Sequence, residues 1–154
     1  MSSYDLRSHA PRRWNADVDG VIWLPRMIDK ARAYDAGTLG LYLYGQSPVD
    51  GSLLAAGRIR YEDVLDAVRS APDDAGVLAA LERRAPGATA RMRAWSAKPP
   101  LQARIIFAWN DVDEGYANAG PVPRAVRFLS NLVYPALTAS LRLVRPFNSR
   151  SKRA

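Results

Sequence analysis

Cysteine is absent from these 154 residues, and histidine occurs once, at His9. The first absence excludes disulfides, thiolate nucleophiles and cysteine-ligated metals. The second leaves no imidazole pair for a zinc site and a single ring for any catalytic triad. No Gly-rich loop leads into a helix with a phosphate-binding lysine, so no nucleotide motif is present. No cofactor and no metal is expected. The opening MSSYDLRSHAPRRW has no apolar core of the kind a secretory signal requires. The uncharged run Phe128 to Leu141, which no other run exceeds, contains Pro135 and falls short of the roughly 20 apolar residues that a membrane span needs. A cytoplasmic protein is the expectation.

Acidic residues are also missing from one whole end of the chain. The first 114 residues hold fifteen acids and fifteen Lys or Arg, whereas Arg124, Arg127, Arg142, Arg145, Arg150, Lys152 and Arg153 follow with no acid among them. The formal charge of +7 therefore belongs to the C-terminal segment. Concentrated cationic charge speaks to partners and solubility rather than to fold. It points to an anionic contact: a membrane surface, an acidic protein or, with less support, a nucleic acid. Nineteen of the 22 basic residues are Arg, as GC-rich coding often produces. That bias raises the charge but does not explain why the acids stop at Glu114.

Length and composition fit one domain with a core of its own; 48% of residues are hydrophobic and 24% charged. The stretch through Gly20 reads as an extended, turn-rich arm. Val21 to Leu24 is a short apolar run, read as a strand or as the lead into a helix. Pro25 to Ala36 is the best-punctuated helix, with Pro in its first turn and Gly37 as its stop. Leu39 to Tyr44 alternates in the manner of a strand. Asp50 suits the cap of a short helix stopped by Gly57. Further helices follow over Tyr61 to Ser70, from Asp73 or Asp74 to Pro86-Gly87, over Ala88 to Ala97, and over Leu101 to Asn118, the last expected to be the most buried. The predicted fold is mainly α: a compact helical domain over residues 1–120 with at most one two-stranded element. Gly120-Pro121-Val122-Pro123 marks the joint to a basic amphipathic helix in residues 121–154.

The run Trp23-Leu24-Pro25-Arg26-Met27-Ile28-Asp29-Lys30-Ala31-Arg32-Ala33, with Gly37-Thr38-Leu39-Gly40 and Tyr42-Leu43-Tyr44, is more specific than composition. It resembles the signature of a bacterial family known only as a domain of unknown function. The likeness runs from about Asp5 to the helix ending near Ser70. It implies a shared fold and no established activity. Where the family commonly shows Cys-Pro-Leu-Asp, this chain has Ser47-Pro48-Val49-Asp50, so no thiol role carries over. The tetrapeptide reads as a turn followed by a helix cap.

Three constellations could carry chemistry. Arg26, Asp29 and Lys30 lie three and four positions apart on one helix face. With Tyr42, Tyr44 and Asp50 they could hold a small anionic ligand, Arg26 serving as a forked donor and a Tyr hydroxyl as acid or base. The plainer reading is an intrahelical ion network beside two half-buried tyrosines. Asn110, Asp111, Asp113 and Glu114 invite a hard cation, but they lack the calcium-loop pattern, and a pairing role is preferred. His9 reads as a surface residue and the four tryptophans as core anchors.

The tail is the strongest of the three. Read as helical, it gathers Val126, Leu129, Val133, Leu137, Leu141 and Val144 on one stripe. Arg124, Arg127, Asn131, Thr138, Arg142 and Arg145 lie on the other. Such a helix suits a membrane interface or a protein partner; the alternative is a last body helix whose arginines pair with body acids. The expected function is a non-enzymatic binding or adaptor protein, peripheral to the inner face of the membrane. The competing class is a small-molecule module or enzyme at the Arg26 cluster, and the third is nucleic-acid binding.

Overall fold

A computed structural model describes residues 5–116. The predicted tail helix and the seven cations of the C-terminal segment, Arg124 to Arg153, lie outside these residues. The chain divides into two compact units, residues 1–103 and 104–154. Among the described residues the fold is mainly α, as the punctuation of the sequence predicts. A two-stranded antiparallel ribbon, β1 (Asp17–Val18) and β2 (Val21–Ile22), leads into α1 (Leu24–Asp35). Then come α2 (Pro48–Gly57), α3 (Tyr61–Ser70), α4 (Asp74–Arg84), α5 (Ala88–Ala97) and α6 (Leu101–Asp113).

Local chemistry explains most of these boundaries. At the end of α1 the Thr38 amide donates to the Ala33 carbonyl at 2.8 Å and the Gly37 amide to that of Tyr34 at 3.1 Å. Gly37, at φ 71°, supplies the left-handed residue that this closure demands. The α2 terminus makes the same pair of bonds, Ile59 to Leu54 and Arg58 to Ala55, but its left-handed residue is Arg58. Ser47 caps α2 by accepting from the Asp50 amide, and Asp73 caps α4 by accepting from the Gly76 amide. Glu82 reaches across the next turn to accept from the Gly87 and Thr89 amides at 2.6 and 2.8 Å, holding the start of α5.

Within residues 1–103, α1 packs on α3, α3 on α4, and α5 on α2, α4 and β2. Leu24, Met27, Ile28 and Ala31 of α1 are fully buried, with Val21, Leu53, Val64, Val77, Leu81 and Met92 around them. Burial of this core supplies the main drive to fold.

The structure corrects four expectations. Leu39–Tyr44 is an irregular loop, not a strand. Gly40 and Gly45 take left-handed backbone at φ 63° and 87°, which breaks a regular strand, and Leu41 faces solvent while Tyr44 turns inward. Asp50 is not the cap of α2; Ser47 is, and Asp50 points into the interior. The N-terminal stretch is not an extended arm, because Leu6 and Pro11 are buried and Arg12 is tied to α1 and α4. Helix α6 is not the most buried helix: Leu101 is 69% and Ile105 45% exposed, and that distinction belongs to α1.

Candidate functional site

Three charged residues of α1 that read as a polar face are all inside. Arg26, Asp29 and Lys30 are each no more than 3% exposed. A buried charge is tolerated only when it is paired and hydrogen-bonded, and each finds partners from elsewhere in the chain. Lys30 Nζ donates to both oxygens of Asp50 at 2.6 Å. Asp50, itself fully buried, also accepts from Trp23 Nε1 at 2.7 Å. One carboxylate of α2 thus receives the ammonium of α1 and the indole that precedes α1.

Trp23 is the unusual member of this group. It holds a left-handed backbone at φ 68° immediately before α1, a conformation that is a genuine outlier for a bulky residue. Such a residue costs about 1–3 kcal/mol and persists only where its surroundings over-determine it. Here burial of the ring and the bond to Asp50 do so. The Arg26 guanidinium lies 5.3 Å and the Lys30 ammonium 5.5 Å from the indole centroid, and Arg26 is also 5.7 Å from that of Tyr42. Arg26 Nη1 donates to the carbonyls of Pro11 and Arg12.

Asp29 turns to the opposite partner. It accepts from the Arg12 amide at 2.9 Å and from the Arg12 guanidinium at 2.7 Å. The same guanidinium reaches Asp74 of α4 and the Pro25 carbonyl. Burial works against the Arg12 cation, but its bonds to Asp29 and Asp74 outweigh that and raise its pKa above the ordinary guanidinium value.

The two tyrosines of the predicted cluster part company. Tyr42 stays against Arg26, whereas the Tyr44 ring packs between Tyr34 and Tyr61. The Tyr44 hydroxyl donates to the Tyr61 carbonyl at 2.7 Å, and that of Tyr61 to the Ser47 carbonyl at 3.0 Å. Burial first, and then the nearby Asp50 charge, push both phenols well above their ordinary value. Both hydroxyls therefore act as neutral donors that tie the loop before α2 to α3, not as bases.

Of the six predicted ligand residues, the structure thus joins Lys30 to Asp50 and Arg26 to Tyr42, and leads Asp29 and Tyr44 to other partners. Sequence reasoning missed Arg12, Trp23, Tyr61 and Asp74. The available signal was the Arg12-Arg13-Trp14 triplet ahead of an α1 rich in charge. His9 sits exposed in a turn beside Ser8 and the Asp5 carbonyl. Among the described residues no group of His, Cys, Asp and Glu could hold a metal ion, and no helix is long and apolar enough to cross a membrane.

Comparison with known proteins finds no match among curated proteins and none among solved structures. A family model described as a domain of unknown function, DUF5069, matches residues 8–114. The match reaches well past Ser70, where the sequence resemblance faded, and takes in both strands, all six helices and every residue of the buried cluster. The chain belongs to the DUF5069 family.

Proposed function

We propose that this protein is a non-enzymatic binding protein whose cationic segment, Arg124 to Arg153, contacts an anionic membrane surface from the cytoplasmic side. One observation carries the reading: six carboxylates of the body already hold cations of the body. Asp19, Asp29, Asp35, Asp50, Asp63 and Asp74 are each engaged by Arg or Lys within residues 1–103. Those carboxylates already have cations, so they do not call for the seven that follow Glu114. The alternation of Val126, Leu129, Val133, Leu137 and Leu141 with Arg124, Arg127 and Arg142 suits a helix lying in the headgroup region. Each cation near an anionic surface adds about 1 kcal/mol, so several together give firm attachment. The competing ligand site at Arg26, Asp29, Lys30, Tyr42, Tyr44 and Asp50 has less support, because those polar groups already serve one another and the backbone.

The test is co-sedimentation of the full chain with phosphatidylcholine vesicles, with and without phosphatidylserine. Binding is expected only with the anionic lipid, weakening as salt rises, and lost when the seven tail cations are changed to Gln. Absence of binding at low salt, or binding retained by the Gln variant, removes the proposal. Tighter, salt-dependent retention on duplex DNA, or on a polyglutamate that displaces the vesicles, reassigns the tail to a nucleic acid or an acidic protein.

A further inference from the structure

Residues 5–16 run from the loop at Gly40 to the start of α1, and fewer of their apolar side chains are fully buried than in α1, Trp14 being only half-buried. Leu6 and Pro11 are buried, but Arg7, Ser8, His9 and Ala10 are exposed. The Trp14 carbonyl accepts from the Trp23 amide at 3.1 Å, and the densest set of bonds falls on Arg12. Its amide donates to Asp29 Oδ2 at 2.9 Å, its guanidinium bonds Asp29, Asp74 and the Pro25 carbonyl, and its own carbonyl accepts from Arg26 at 3.0 Å. Arg26 also holds the Pro11 carbonyl.

We propose that residues 5–16 form a latch that opens as its own unit while the helices stay intact, and that Arg12 is its catch. Segments with few buried apolar contacts open at lower free energy than the core they cover. Parting Arg12 from Asp29 and Asp74 lets water hydrate both carboxylates and the guanidinium, so much of the lost pairing is replaced. Helix α1 has no such route, because leaving would expose Leu24, Met27, Ile28 and Ala31. The latch governs access to the Arg26 and Asp29 face of α1. Without Arg12, the 1%-exposed Asp29 carboxylate keeps no cation. A buried charge stripped of its partner is strongly unfavourable, and lifting the latch to admit water is the least disruptive relief.

Amide hydrogen exchange on the full chain tests this. In the wild type the amide of Arg12 and its latch neighbours should exchange at least about tenfold faster than the interior amides of α1. Arg12→Ala should speed the latch by about another tenfold while leaving α4 and α5 unchanged, and adding Asp29→Asn should restore part of the protection. Latch and α1 amides exchanging in step in the wild type would overturn the proposal. So would an Arg12→Ala variant in which all helices speed up together. Should that variant not fold, the wild-type comparison alone decides.

Discussion

Lys30 and Asp50, twenty residues apart, meet ammonium to carboxylate at 2.6 Å with both side chains no more than 4% exposed. The pair is a joint between α1 and α2 rather than a surface ornament. Removing one partner leaves the other charge buried, a change that costs about 3–5 kcal/mol. Lys30→Met and Asp50→Asn should each lower the unfolding free energy by that order, with a matching fall in the urea midpoint. The Lys30→Met, Asp50→Asn double variant should lose less than the sum of the two single losses. A double-mutant cycle by urea unfolding reads the coupling directly, and additive losses would show that the two residues act independently.

The buried tyrosines set an alkaline limit. Tyr44 and Tyr61 have phenols raised by burial above the ordinary value of 10.0. The unfolded chain therefore releases protons that the folded chain retains. The sign follows: their contribution is whole below pH 10.0 and is lost as pH climbs from there toward the folded values. Spectrophotometric titration should show two phenols ionising only with unfolding, and Tyr44→Phe with Tyr61→Phe should flatten the alkaline fall in melting temperature.

On the acid side the sign reverses. Glu82 is held below its ordinary 4.5 by the Thr89 amide and then the Gly87 amide. Burial of Asp63 opposes ionisation, but the Arg60 amide and guanidinium and the Arg84 charge together lower it beneath 3.8. Their contribution is present above these values and disappears as pH falls through the depressed ones. Glu82→Gln should lower the melting temperature at pH 7 and shrink the difference between wild type and variant at pH 3.

Arg58 offers a stabilising change. It holds φ 58° at the end of α2, a left-handed state that costs an L-residue roughly 1–2 kcal/mol. The preceding Gly57 cannot share the burden with a larger side chain, because an added Cβ would lie 3.1 Å from Ile59 and Met92. Arg58→Gly should raise stability by about 0.5–1 kcal/mol in urea unfolding; a loss would mean that the Arg58 side chain contributes more than its backbone costs.

The helices were legible because their ends are written locally. Pro25, Gly37, Asp73 and the Pro86-Gly87 and Pro99-Pro100 steps act within one turn, and each marks a boundary close to the observed one. The interior of the cluster was not legible, because its partners are distant in the chain. Asp29 meets Arg12 only once the ribbon has folded back, and Arg12 meets Asp74 only after three helices have followed. Position alone selected Arg26, Asp29, Lys30 and Asp50 as neighbours, but it gave them the wrong setting, a solvated face instead of the core. The alternation in Leu39–Tyr44 misled for a related reason. A period of two reports side-chain order and is blind to the left-handed turns at Gly40 and Gly45.

The Asp50 carboxylate also makes the burial of Trp23 and Lys30 depend on chain that lies well beyond α1. A chain cut before α2 leaves the Trp23 indole and the Lys30 ammonium to water, and lacks the carboxylate that lets both be buried. Because the apolar side of α1 rests on α3, a fragment that ends before Ser70 should leave that side uncovered and hold little lasting helix.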